Sequence, residues 1–229
     1  MLGVNIPGMP IPSFETVAGQ AEPPLDQLAL ALAGEFGPVD AEGALAELDR
    51  LGAELREAAA TDSPETQAQA CRLVLGERHG FLGDRDRYDH PDNSMLDRVL
   101  ATRRCLPILL SVVYVEAARR AGIPLAGVGL PGHYLVGHFG ASPPLLLDPF
   151  AGGLIARAPE PEVARDAVRP WTNHETALRM LNNLVAAYSA RVDFTRAIRA
   201  AELRLALPVA EDMRTALEVE LRSLRANLN

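Results

Sequence analysis

The residues best suited to chemistry in this chain are His133, at the start of one short apolar run, and Asp148, at the end of the next. Gly140-Ala141 between the runs suits a two-residue type II′ turn, and pairing outward from it sets His133 directly opposite Asp148. Directly opposed Cβ atoms on antiparallel strands lie about 5 Å apart, so the carboxylate would accept a hydrogen bond from the imidazole and orient it. A base with its orienting carboxylate makes up two parts of a catalytic triad.

A nucleophile for this pair has one candidate, Cys105, which precedes an apolar segment predicted to be a helix. The positive end of a helix dipole lowers a thiol pKa, so Cys105 would attack a carbonyl with His133 as its base. The alternative is that Cys105 is a small, partly buried structural residue. His133 also has two interpretations, a site residue or a buried imidazole that fastens the hairpin through Asp148. The sequence leaves both choices open.

Neither a metal nor a cofactor is predicted. His133 and His138 lie five positions apart, so on one strand they face opposite sides and cannot share an ion. No glycine-rich phosphate loop follows a strand. The two cysteines, Cys71 and Cys105, form no Cys-x-x-Cys pair, and Cys71 falls on the apolar side of a predicted helix.

Composition restricts the class of protein. The chain has 229 residues, 48% of them hydrophobic, which is enough for one substantial core and a smaller appended unit. Its apolar runs are shorter than the ~20 residues of a membrane span and no signal sequence precedes them, so we expect a cytoplasmic protein without a membrane partner. The net charge is −8 and no basic stripe is present, which argues against nucleic acid as a partner. Oligomeric state is not predictable from these features.

The elements that must position the site follow from hydrophobic periodicity. Helices are predicted over residues 25–36, 41–60 and 64–79, and a fourth is predicted over 94–103 with Ser94 as its cap and Asp97 three residues later. A buried helix over 108–121, closed by Gly122, leads into a strand over 125–130 and then the hairpin. The sequence therefore predicts an α+β fold.

Three units are predicted along the chain. Residues 1–24 contain five prolines and no helical periodicity, so we expect an extended or flexible leader. Residues 25–165 form the main domain, and residues 172–229 are helical with a break near Pro208. Small and aromatic residues in this last unit fall near the spacing of a tetratricopeptide hairpin.

Several of these motifs together resemble a known family. Asn93-Ser94, the Pro107 helix with Tyr114, Pro131-Gly132-His133 and Asp148-Pro149-Phe150 with Gly152-Gly153 are similar to those of the SirB family, transglutaminase-like proteins with tetratricopeptide-like C-terminal helices. The resemblance extends from about residue 25 to the C-terminus. It implies a papain-type fold with a cysteine at the start of a buried helix and His and Asp on neighbouring strands. Among these residues, Asn93, Ser94, Tyr114 and Gly132 are the candidates for substrate binding; the alternatives are that Ser94 serves as a helix cap and that Tyr114 packs in the core.

The expected cysteine is where this chain departs from the superfamily. The resemblance places the nucleophile near Ile108 or Leu109, and Cys105 lies about three residues too early. The leading prediction is therefore a member with a degenerate nucleophile, which binds a peptide or protein through the former catalytic cleft and the C-terminal helices. The alternatives are a cysteine-dependent acyltransferase or amide hydrolase that uses Cys105, His133 and Asp148, and a purely structural adaptor.

Overall fold

The fold combines a helical N-terminal half, one central helix and a four-stranded sheet, as the α+β prediction requires. The computed structural model describes residues 11–59, 61–158 and 168–227. Within them the α-helices are α1 (Phe14–Ala18), α2 (Leu25–Gly34), α3 (Ala41–Ala58), α4 (Pro64–Cys71), α5 (Leu96–Thr102), α6 (Pro107–Ala121), α7 (Asn173–Ala190), α8 (Phe194–Arg204) and α9 (Glu211–Ala226). The strands are β1 (Leu82–Gly83), β2 (Arg104–Cys105), β3 (Leu125–Leu130), β4 (His133–His138), β5 (Leu145–Asp148) and β6 (Leu154–Arg157).

Three shorter helical segments adjoin the site. A π-helix (Arg72–Arg78) continues α4, and 3₁₀ turns cover Pro91–Ser94 and Pro149–Ala151. The π-helix lies in a region predicted to be helix, and the Pro91–Ser94 turn lies almost entirely in a region predicted to be loop.

Helix α6 forms the centre of the core. It begins with Pro107 in its first turn and ends at Gly122, whose φ of 80° is the left-handed conformation that favours glycine. Nearly every side of α6 is buried, because α3 packs on it from one direction and β3 and β4 from another. Helix α6 is thereby fixed against the sheet that carries His133.

The predicted leader is wrong for residues 14–18, which form the buried helix α1. The Ser13 hydroxyl accepts a hydrogen bond from the backbone N–H of Thr16 at 3.2 Å, and Phe14 and Val17 are fully buried. These two apolar residues lie one helical turn apart, which is enough to anchor a single turn in spite of the nearby prolines. Residues 1–10 of the predicted leader lie outside the described residues.

The four-stranded sheet is antiparallel throughout, in the order β3-β4-β5-β6. Pro131-Gly132 joins β3 to β4, and Gly132 has a φ of 72°, which suits the third position of a type II turn. The loop between β4 and β5 is longer than predicted. His138 pairs with Leu145, so six residues separate the strands instead of the two of a Gly140-Ala141 turn.

The C-terminal helices begin at a capping box in which Thr172 and Glu175 bond to each other's backbone N–H groups. Helix α7 packs on α2, α6 and α8, and Tyr188 stacks on Phe36 of the N-terminal half at 5.4 Å between ring centroids. These helices therefore share one buried cluster with the rest of the protein. Residues 159–167, within the predicted linker, lie outside the described residues, and the tetratricopeptide likeness stays a prediction.

Candidate functional site

The site centres on a hydrogen bond between His133 and Asp148. His133 Nε2 lies 3.1 Å from Asp148 Oδ2, so the predicted contact exists. The predicted direct opposition is wrong, because the register of β4 and β5 extends to place Asp148 across from Leu135. The longer loop shifts the register by two residues, and a shift of two keeps a side chain on the same face of the sheet. The pair therefore meets diagonally across the two strands.

Asp148 is held by the backbone independently of His133. Its Oδ1 accepts hydrogen bonds from the N–H groups of Phe150 at 3.0 Å and Ala151 at 3.3 Å, which caps the 3₁₀ turn. The N–H of Gly153 closes the same turn on the carbonyl oxygen of Asp148 at 2.7 Å. One carboxylate oxygen is thus committed to the fold, and the other is aimed at the imidazole.

The imidazole of His133 keeps one nitrogen for a ligand. Its side chain is 38% exposed, and Nδ1 has no hydrogen-bond partner within the described chain. In the tautomer whose Nε2–H donates to the carboxylate, Nδ1 is an acceptor. The pair can therefore accept a proton or a hydrogen bond from a group bound at the surface.

Cys105 is placed in the core. It lies in β2, is completely buried, and its thiol donates to the carbonyl oxygen of Leu106 at 3.5 Å. Burial raises the pKa of the thiol well above its ordinary value, and the nearby Asp84 carboxylate raises it further. No hydrogen bond joins Cys105 to His133 among the residues that the structure describes. An activated nucleophile requires the opposite: access to substrate and a lowered pKa.

The start of α6 supplies no substitute nucleophile. Ile108 and Leu109, where the family resemblance places the cysteine, are buried aliphatic residues. Ser111, one turn further, is also buried, and its hydroxyl donates to the carbonyl oxygen of Pro107 at 2.9 Å. Cys71 lies in the core as predicted, where burial raises its pKa to about 12.

Asn93 and Ser94 are buried in the 3₁₀ turn that directly precedes α5. The carboxamide of Asn93 donates to the carbonyl oxygen of Arg87 at 2.6 Å and to Asp84 Oδ2 at 3.3 Å, which fastens the loop. The prediction that Ser94 caps the helix is wrong. Ser94 is the last residue of a 3₁₀ turn, so Met95 occupies the cap position, where it makes no side-chain hydrogen bond.

Tyr114 packs beneath the site, and Gly132 lies at its edge. Tyr114 is fully buried, and its hydroxyl lies close to Gly76 and Gly153, with no hydrogen-bond partner within the described residues. Burial raises the pKa of this hydroxyl, and the charge of Asp148 adds to the effect. Gly132 is exposed in the turn that delivers His133 to the start of β4.

Exposed apolar side chains, which were not predicted from the sequence, border the Asp148 turn. Leu154, which pairs with Asp148 across β5 and β6, is 60% exposed. Tyr88 is 44% exposed and meets the Phe150 ring edge-on at 6.0 Å. Leu82 is 38% exposed and lies against Gly152. The sequence does contain a signal for two of them. Leu154 follows a Gly-Gly pair and Tyr88 lies in a polar loop, and neither belongs to a pattern of apolar residues that would bury it.

Two cavities lie elsewhere in the described part of the chain, and neither is lined by His133 or Asp148. Among the same residues, no three His, Cys, Asp or Glu side chains come together as a metal site would require. No helix there has the length and apolar character to cross a membrane.

Comparison with known proteins places the chain in a family. The model of the transglutaminase-like superfamily matches residues 42–183, which include the His133–Asp148 pair and the whole sheet. The chain belongs to this superfamily, and that part of the sequence prediction is confirmed.

Bacterial relatives match more than half of the chain. A UPF0162 protein of Xylella fastidiosa (strain Temecula1) is 34% identical over 153 residues, which cover 60% of this chain and 54% of the relative. UPF0162 protein PA3419 of Pseudomonas aeruginosa is 38% identical over 122 residues, which cover 51% of this chain and 44% of the relative. The chain thus matches about half the length of these relatives.

A eukaryotic relative shares a shorter segment. F-box only protein 21 of Homo sapiens is 36% identical over 75 residues, which cover 31% of this chain and 12% of that protein. No solved structure matches.

Proposed function

We propose that this protein is a non-catalytic member of the transglutaminase-like superfamily that binds an extended peptide segment of a partner protein on the surface around His133 and Asp148. The observation that carries the proposal is His133 Nδ1, which has no partner among the described residues, beside an exposed apolar border, with both cysteine thiols buried. The site recognises a backbone or side-chain donor and covers apolar groups, and it forms no covalent intermediate.

The chemistry of the thiols supports binding over catalysis. Nucleophilic catalysis by cysteine needs a thiolate within hydrogen-bond reach of its base. Cys105 is buried with a raised pKa, so the alternative of an acyltransferase or hydrolase would need the core to open first.

The apolar border supplies binding energy. Leu82, Tyr88 and Leu154 together surround the turn that holds Asp148. Completely covering one Leu or Phe-sized side chain contributes roughly 1.5–3 kcal/mol, and these three are already partly buried. Even half of that gain at each position would give a weak, specific peptide interaction, to which a hydrogen bond to His133 Nδ1 adds direction. That helices α7 to α9 also contribute to peptide binding stays a prediction.

Selection from a random displayed-peptide library against the purified protein tests the proposal. Binding peptides should lose at least tenfold in affinity when Leu154 is changed to Asp, because the charge would be desolvated in the complex. The matched control is Val192→Asp, which alters an exposed apolar side chain, 71% accessible, in the turn between α7 and α8. Peptides that bind both variants as well as the unmodified protein, or an absence of selected binders, would overturn the proposal.

A further inference from the structure

A second site is built into the opposite side of α6. A cavity of about 340 Å³ lies between α6, the edge strand β3 and the start of α7. This volume falls in the range of small-molecule sites. Its walls are mainly aliphatic and aromatic, and they include Leu25, Val112, Val115, Ile123, Tyr134 and Trp171; the charged residues in the lining are Glu116 and Arg119.

A buried carboxylate lines this cavity. Glu116 is 1% exposed, and its Oε2 accepts hydrogen bonds from Arg119 at 2.8 Å and Arg120 at 2.7 Å. Its other oxygen, Oε1, has no hydrogen-bond partner among the residues that the structure describes. Glu116 lines the cavity, so a hydrogen-bond donor bound there would have an acceptor in Oε1.

The charges around Glu116 favour a cationic donor. Asp26 is also buried and shares both guanidiniums, accepting from Arg119 at 3.3 Å and from Arg120 at 2.7 Å. Arg120 is bonded in addition to Asp49, so three carboxylates compete for two guanidiniums. Burial raises the pKa of Glu116, and the neighbouring Asp26 raises it further, because the two carboxylates lie close together in a buried position. One additional positive charge would balance the group.

The far wall is rigid and apolar. The Tyr134 hydroxyl is bonded to Thr176 Oγ1 at 2.8 Å, and Trp171 meets the Tyr134 ring edge-on at 5.4 Å. The tyrosine hydroxyl occupies the space that any side chain at Gly127 would need. These contacts fix the positions of both rings in the cavity wall.

We infer that this cavity binds a small primary amine carrying an apolar chain, with the ammonium group bonded to Glu116 Oε1 and the chain packed against Val112 and Trp171. The site is separate from the His133–Asp148 surface, because neither of those residues lines the cavity. It does not depend on the proposed peptide binding.

The chain provides its own reporter for the test. Trp171 is the single tryptophan and lines the cavity, so its fluorescence should change saturably when n-butylamine is added. The probe of equal length without a charge is 1-butanol, and the probe of opposite charge is butyrate. We expect n-butylamine to bind at least tenfold more tightly than either, because hydrogen bonds to charged groups are the stronger class.

Two variants separate the charge from the space. Glu116→Gln should weaken n-butylamine at least tenfold, whereas Glu57→Gln, on the exposed face of α3, should leave it unchanged. Val115→Phe fills the cavity without touching the ion pairs and should abolish the fluorescence response, which keeps the test valid if Glu116→Gln does not fold.

Equal binding of n-butylamine and 1-butanol would refute the inference. So would a response that survives Val115→Phe, or the absence of a saturable response in the unmodified protein. Failure of peptide binding at Leu154 would leave these measurements unaffected, so the two proposals are distinguishable.

Discussion

Asp148 should contribute more to stability than its partner His133, and the difference follows from their contacts. Asp148→Ala removes the two backbone caps of the 3₁₀ turn as well as the bond to the imidazole. Loss of a side-chain cap costs about 1 kcal/mol, so we expect a decrease of about 1–2 kcal/mol in the free energy of unfolding. His133→Ala removes a single bond at a partly exposed position and should cost no more than about 0.5 kcal/mol.

Urea denaturation, followed by circular dichroism, measures both changes. Asp148→Asn is the matched control, because the amide oxygen can still accept from Phe150 and Ala151 while the negative charge beside His133 is lost. It should retain more than half of the stability that Asp148→Ala loses. A decrease for His133→Ala as large as that for Asp148→Ala would refute the reasoning, because the imidazole would then be a structural fastening and not a group kept for a ligand.

Two further predictions concern the contacts that support the site. Gly76→Ala should destabilise the fold by about 2–3 kcal/mol in thermal denaturation, because its Cβ would collide with the backbone oxygen of Gly152; Gly34→Ala has open space and should be neutral or slightly stabilising. A normal melting temperature for Gly76→Ala would contradict this packing. The hydrogen bond from Arg50, together with the ion pairs to Arg50 and Arg103, lowers the pKa of Glu47 from its ordinary 4.5 to about 2. Because the pKa is lowered in the folded state, these contacts stabilise the protein fully above pH 4.5, and this stabilisation is lost as the pH falls towards 2. Between pH 6 and pH 2 the free energy of unfolding, measured by urea denaturation, should therefore fall by about 1 kcal/mol less in Glu47→Gln than in the unmodified protein. An equal fall in the two proteins would contradict this assignment.

The central helix and the contact of the site pair were predictable because their signals are local. Pro107 and Gly122 mark the two ends of α6, and the apolar run between them predicts burial on all sides. The contact between His133 and Asp148 survived an error in the loop, because a register error of two residues preserves the face of each side chain. An error of one residue would have separated them.

Other features depend on contacts between distant parts of the chain, which a single sequence does not reveal. Helix α1 is stabilised by the burial of Phe14 and Val17, although its local composition favours an extended chain. Ser94 differs from its predicted role as a helix cap, because a 3₁₀ turn held by Asn93 replaces the first turn of the predicted helix. The burial of Cys105 follows from its parallel pairing with Gly83, which sequence periodicity does not indicate.

The proposed binding site keeps its histidine and carboxylate but has no thiol to use with them. Labelling of the native protein with iodoacetamide at pH 8, read by peptide mass mapping, distinguishes such a site from a cysteine enzyme. We expect Cys105 and Cys71 to stay unmodified until the protein is unfolded, because both are completely buried and both have raised pKa values. Rapid labelling of Cys105 in the folded protein, slowed by His133→Ala, would contradict it.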